Sequence, residues 1–175
     1  MKKRILVVLI ALGFFQLSQA QIAEGDVMVT LGVGLSPTFY SGSGYKSSLP
    51  PIEINGEYAL SEKITAGAFA GYAGAEFRSG GFGFDYTYLL FGAVGNYHFV
   101  NEATFDVYAG AKLGYVSISS ETVGGGNGFN FSSEASGLLY GAQVGARYWV
   151  SESIGINAEL GYGIALLKAG VTFKF

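Results

Sequence analysis

The chain has 175 residues, of which half are hydrophobic, 15% are aromatic and only 13% are charged. A soluble domain usually covers its surface with about 25–35% charged residues, so this chain cannot clothe itself for water, and its abundant aromatics with low net charge argue against disorder. The absence of Cys excludes a disulfide scaffold, a thiolate metal site, a Cys nucleophile and a lipid-bearing Cys, while a formal charge of −3 excludes the basic profile of a nucleic-acid binder.

Residues 1–20 read as a cleaved secretory signal. Lys2-Lys3-Arg4 is a basic start, Ile5 to Phe15 is an apolar run broken only by Gly13, and Ser18-Gln19-Ala20 precedes a cut at Gln21. The run is about half the roughly 20 residues that a spanning helix needs. The remaining domain, residues 21–175, has no other apolar run of that length. For a charge-poor chain in lipid, the other backbone solution is a closed β-barrel.

From Val27 onward the pattern has period two. Val27, Val29, Leu31, Val33 and Leu35 share one face of a first strand, with Met28, Thr30, Gly32, Gly34 and Ser36 on the other. The second strand sets Ile52, Ile54, Tyr58 and Leu60 against Glu53, Asn55, Glu57 and Ala59. The third sets Ile64, Ala66, Ala68, Ala70 and Tyr72 against Thr65, Gly67, Phe69 and Gly71. The fourth sets Leu89, Phe91, Ala93, Tyr97 and Phe99 against Tyr88, Leu90, Gly92, Asn96 and His98. The fifth sets Val107, Ala109, Ala111, Leu113 and Tyr115 against Asp106, Tyr108, Gly110, Lys112 and Gly114. The sixth sets Leu138, Tyr140, Ala142, Val144, Ala146 and Tyr148 against Gly141, Gln143, Gly145 and Arg147. The seventh sets Ile156, Ala158, Leu160, Tyr162 and Ile164 against Asn157, Glu159, Gly161 and Gly163. The eighth sets Leu167, Ala169, Val171, Phe173 and Phe175 against Lys168, Gly170, Thr172 and Lys174. Most segments have the roughly 9–11 residues of a tilted membrane strand.

Short polar turns at Ser61-Glu62-Lys63, Asn101-Glu102-Ala103 and Ser151-Glu152-Ser153 alternate with longer Gly-rich connections. These longer ones run from Pro37 to Pro50, Ala75 to Phe84 and Ile118 to Glu134, and a last, very short connection lies near Ala165 and Leu166. Short turns on one rim and long loops on the other are the layout of an outer-membrane barrel. The more polar face is rich in Gly, which weakens a solvent-facing strand but suits the narrow interior of an eight-stranded barrel. The apolar face is therefore read as outward. A secreted, soluble calycin with the apolar face inward is the alternative. Aromatics are expected to form two girdles. Tyr58, Tyr97, Phe99, Phe105, Tyr148, Trp149, Phe173 and Phe175 lie near the short-turn rim, and Tyr72, Tyr86, Tyr88, Tyr115, Tyr140 and Tyr162 near the other.

Six charges are expected inside the barrel: Glu53, Glu57, Lys112, Arg147, Glu159 and Lys168. A buried charge needs a partner, and the expected pairing is Glu57 with Arg147 or Lys112. The network is read as a static filling of the lumen, with an ion-pair gate as the alternative. No catalytic residue is assigned. A lipid-modifying barrel enzyme would need a base beside a nucleophile. The single His, His98, lies at the short-turn rim, away from the outer leaflet, and is read as an interfacial or lumen residue. Gly124–Gly128 lacks the Lys-Ser/Thr of a phosphate loop and reads as a surface loop. No metal-ligand spacing is present, and neither metal nor cofactor is expected.

Lys168-Ala169-Gly170-Val171-Thr172-Phe173-Lys174-Phe175 resembles the C-terminal targeting signal of bacterial outer-membrane barrels, with Lys168, Gly170, Phe173 and Phe175 in its defined places. The resemblance implies recognition by the barrel-assembly machinery. Across Gln21–Phe175 the chain also resembles the small eight-stranded OmpA/OmpX-like barrels, as in Phe105-Asp106-Val107-Tyr108-Ala109-Gly110 and Gly145-Ala146-Arg147-Tyr148. Interior ion pairs of the kind described above are implied by that resemblance.

The expected protein is thus an all-β, monomeric, eight-stranded antiparallel up-and-down transmembrane barrel of a Gram-negative outer membrane. Its partners would be membrane lipids and lipopolysaccharide, with host or surface ligands at loops carrying Phe39, Tyr40, Tyr45, Phe77, Phe82, Phe129 and Phe131. A structural or surface-interaction role ranks first. A narrow conduit for ions or small hydrophobic molecules ranks second, and a lipid A-modifying enzyme last.

Overall fold

The structure, a computed structural model, describes residues 21–38, 44–79, 82–123 and 132–175. The expected leader, Phe39, Tyr40, Phe129, Phe131 and Gly124–Gly128 lie outside the described residues. Eight strands follow one another: β1 Val27–Pro37, β2 Tyr45–Ser61, β3 Ile64–Ser79, β4 Phe82–Asn101, β5 Phe105–Val123, β6 Ser132–Trp149, β7 Ile154–Tyr162 and β8 Ala165–Lys174. Each pairs antiparallel with its chain neighbour, and β1 pairs with β8, closing the barrel. Closure leaves no unpaired edge in the lipid-level section, as hydrocarbon demands.

The period-two faces fall as the sequence indicates. Leu31, Ile54, Leu89, Leu113, Val144 and Leu160 are exposed on the outer wall. Glu53, Asn55, Lys112, Gln143, Arg147 and Glu159 are buried within it. Such a greasy exterior around a charged interior is stable only with hydrocarbon outside.

The strands are longer than the alternation suggests. β5 has 19 residues and β4 has 20. Much of the expected long loops is strand: β3 and β4 pair up to Ser79↔Phe82, and β5 and β6 pair up to Glu121↔Ser132. Extending the ladder satisfies backbone groups that a loop would leave to water.

Polarity inverts in this upper section. Asp85, Thr87, Ser117, Ser119 and Glu121 take the outward positions, while Leu90, Tyr88, Ala73, Ala75 and Leu139 are buried inside. Phe69, Val94 and Ile164 join them in one apolar cluster, against which Tyr86, Val116 and Ile118 pack. The charged network therefore occupies the lower part of the interior, and an apolar cluster packs in the lumen above it.

Three girdle assignments change accordingly. Tyr86 and Tyr88 share the inward parity of Leu90, and Trp149 that of Arg147, so all three face the lumen. The outer upper girdle consists of Tyr72, Tyr115, Tyr140 and Tyr162. Ile164, expected outside, also turns inward. β7 ends at Tyr162, and Gly163, at φ 118°, makes a turn that a side chain would strain.

The wall is uneven in height. β7 pairs with β6 only up to Ala142↔Tyr162, and β1 with β8 only up to Pro37↔Ala165. Strands β2 to β6 stand above this level, and residues 132–141 of β6 have no ladder partner on the β7 side among the described residues. At the opposite rim the barrel is capped. Ile22 is fully buried against Met28, Ala59 and Trp149. Its N–H donates to Asn101 Oδ1 at 2.9 Å, and its carbonyl accepts from Asn101 Nδ2 at 2.8 Å.

Candidate functional site in the barrel interior

Inward-pointing residues of a narrow closed sheet must meet across the axis, so charges placed there select partners by stagger. All six expected interior charges are buried, and the structure groups them into two sets.

The upper set is built on Glu53. Its Oε1 accepts from Lys112 Nζ and Lys168 Nζ, each at 2.5 Å, and from Asn55 Nδ2 at 2.9 Å. Lys168 also bridges to Glu159 Oε2 at 2.5 Å, and Tyr108 donates its hydroxyl to Glu159 Oε1 at 2.8 Å. The Lys112 ammonium lies 5.2 Å from the Phe69 ring centre, at the floor of the apolar cluster. Two carboxylates and two ammoniums balance, which is what a low-dielectric interior requires.

The lower set runs from Glu57 to Arg147. Glu57 Oε2 accepts from Thr65 Oγ1 at 2.6 Å and Asn96 Nδ2 at 2.7 Å, and Gln143 Nε2 donates to Asn96 Oδ1. His98 Nε2 lies 3.2 Å from Thr65 Oγ1, and its Nδ1 lies 2.6 Å from Asp106 Oδ1. Arg147 Nη1 donates to Asp106 Oδ2 at 2.9 Å, and its Nε to Thr172 Oγ1 at 3.1 Å. His98 thus links Thr65 to Asp106, and Asp106 in turn links His98 to Arg147.

Arg147 is held between two rings, its guanidinium carbon 5.1 Å from the Tyr108 centre and 5.3 Å from that of Trp149. Gly145 makes this possible: a β-carbon there would strike the Tyr108 ring. Tyr108 therefore joins the two sets, touching Arg147 with its face and Glu159 with its hydroxyl.

The expected pairing of Glu57 with Arg147 or Lys112 is not what forms. Lys112 meets Glu53, Arg147 meets Asp106, and Glu57 is satisfied by neutral donors. Asp106, Tyr108, Thr65 and Asn96 carry the network and were not among the expected site residues. Of the C-terminal set, Lys168 and Gly170 point inward from β8, while Phe173 and Phe175 point outward. Among the described residues, no group of three or more His, Asp or Glu could hold a metal ion.

A closed eight-stranded antiparallel barrel with a lipid-compatible belt and a neutralised ionic interior defines a class of membrane protein. The chain belongs to the outer membrane protein beta-barrel domain family, whose model matches residues 6–173. No curated protein matches it significantly. Among solved structures it is similar to Ail, the attachment invasion locus protein of Yersinia pestis, with 14% identity over 87% of this chain and 99% of that one and a TM-score of 0.56. It is also similar to OprG of Pseudomonas aeruginosa, with 12% identity over 89% and 98% and a TM-score of 0.56. The N-terminal barrel of Pseudomonas aeruginosa OprF gives 15% identity over 88% and 100% and a TM-score of 0.51. At these identities the likeness is one of fold.

Proposed function

We propose that the protein is an integral outer-membrane barrel with a structural or surface-interaction role. The lower barrel is its anchor, and the tall wall formed by β2 to β6 is what it presents outside the cell. The observation that carries this reading is the change of the outer face from Leu113, Tyr115 and Tyr140 to Ser117, Ser119 and Glu121 within a single sheet. Such a surface is built for hydrocarbon below and water above. Contacts with a host or surface ligand would be made at the top of that wall, where Tyr45 and Phe77 pack together with ring centres 5.0 Å apart and Phe82 is exposed.

Several features accompany this reading. Residues 1–20 direct export. Lys168, Gly170, Phe173 and Phe175 present β8 to the assembly machinery, and the barrel works as a monomer among lipids and lipopolysaccharide. The cross-lumen ion network supports a filled interior over an ion path. The burial of His98 and Thr65 near the capped rim supports a non-enzymatic role, because no substrate in the outer leaflet reaches them.

Labelling tests the reading on the Cys-free background. In intact cells, Ser119→Cys reacts with a membrane-impermeant maleimide while Leu160→Cys does not, and the folded protein shows heat-modifiable gel mobility. Reaction of both positions would overturn the reading. Planar-bilayer recordings are expected to show no steady conductance. Deleting Phe175 is expected to lower the amount of folded barrel in the membrane.

A further inference from the structure

Above the β7–β8 turn β6 has no ladder partner on the β7 side among the described residues, and the apolar upper lumen meets the outer wall there. The opening is a cleft of about 270 Å³. Its inner side is made by Val116, Ile118 and Leu139, which belong to or pack on the interior cluster. Its outer lip is made by Leu138, Tyr140 and Tyr162, which lie on the outer wall and are 78%, 69% and 59% exposed, and Thr38 and Gly163 complete it, the Thr38 hydroxyl accepting from the Gly163 N–H at 3.1 Å. Interior hydrocarbon and lipid-facing hydrocarbon thus form one continuous surface at this point. The floor is closed, because Phe69 and Leu90 fill the lumen beneath and Lys112 and Lys168 are already committed to Glu53 and Glu159. The cleft is therefore closed below, and the two ammoniums beneath it are already paired.

We infer that this lateral cleft is a binding site for one acyl chain of an outer-leaflet lipid, which enters from the side while its head group stays at the lip. The belt supplies the occupant. The outer lip carries Tyr140 and Tyr162 of the upper girdle, so a head group at the lip sits at the lipid–water boundary and its chain enters the cleft beside it. The volume lies below the roughly 300–1,000 Å³ typical of drug-sized ligand pockets, which suits a chain segment and not a whole lipid. Residues 138–140 of β6, which have no ladder partner on the β7 side among the described residues, frame the entrance. The inference rests on the membrane reading given above and adds to it a defined lipid contact inside the wall.

Fluorescence quenching tests it. On a Trp149→Phe background, Val116→Trp probes the cleft, Phe69→Trp probes the closed interior, and Leu160→Trp probes the lipid-facing wall. Each variant is refolded into phosphatidylcholine vesicles with brominated acyl chains, and folding is verified by heat-modifiable mobility. Val116→Trp is expected to lose emission nearly as strongly as Leu160→Trp and to be insensitive to aqueous iodide, while Phe69→Trp keeps most of its emission. If Val116→Trp is as shielded as Phe69→Trp, the chain's own residues fill the cleft and the inference is overturned. If iodide quenches it and bromolipid does not, the cleft opens to water and the inference fails equally. If Leu160→Trp itself escapes the bromolipid, the membrane reading falls and takes this site with it.

Discussion

Strands β2 to β6 run through both the lower and the upper half of this barrel and obey opposite rules in each. Along β4 the outward residues change from Phe99, Tyr97 and Phe91 to Thr87 and Asp85, while the inward ones change from His98 and Asn96 to Leu90 and Tyr88. In the lower half, lipid solvates the wall and ion pairs fill the lumen. In the upper half, water solvates the wall and an apolar core fills the lumen. The sheet does not change, but its solvent does. The inversion shows that parity along a strand is fixed by the pleat, whereas which parity is greasy depends on what lies outside.

That contrast can be broken or sharpened by substitution, with urea titration of the barrel refolded in vesicles as the common measure. The largest loss is expected for Arg147→Ala, which strips Asp106 of its guanidinium partner and leaves it only the His98 ring. Breaking a buried pair in this way costs about 3–5 kcal/mol. The upper half has its own counterpart: Leu90→Ala, inside the apolar cluster, should cost about 2–5 kcal/mol as a cavity forms. A negligible effect there would mean that the upper lumen is not a packed core. Next come Leu160→Arg and Ser119→Arg, the same change on the same outer face. The first should cost about 2–4 kcal/mol at bilayer depth, and the second should stay within about 0.5 kcal/mol as an ordinary surface change. Equal costs would erase the distinction between the halves. Between those two falls Tyr108→Phe, which removes the hydroxyl bond to Glu159 and keeps the ring under Arg147, at about 1–3 kcal/mol.

Much of the lower half is legible in the sequence, because lipid favours apolar residues at every second position, and Leu, Ile, Val and Tyr with interspersed Ala supply them on β1, β2 and β5 through β8. The upper half is harder to read for a physical reason. Its inward residues include small ones, such as Ala73, Ala75 and Gly137, and its outward ones include Ser117, Ser119 and Ser136, so the alternation is faint and runs in reversed phase. Segments like Ile118 to Glu134 then resemble loops. The ionic partners divide in the same way. Glu159 and Lys168 face each other across a short turn, so their register can be counted along the chain. Asp106 and Arg147 also face each other, but β5 and β6 are joined by a long connection whose length hides the register. Contacts across the lumen, such as Lys112 with Glu53, depend on the stagger of the closed sheet, which no single strand encodes.

The cap at the short-turn rim carries a consequence for the order of assembly. Ile22 closes the lumen using Met28 of β1, Ala59 of β2, Trp149 of β6 and Asn101 of β4. Lys174 of β8 then holds the carbonyl of Gln21 at 2.8 Å and lies 3.5 Å from Asp26. Gln21 and Ile22 therefore find their complete seat only after the last strand has arrived. Sealing the cylinder's seam and stoppering its base become one cooperative event, and an intermediate lacking β8 would be both unzipped and uncorked.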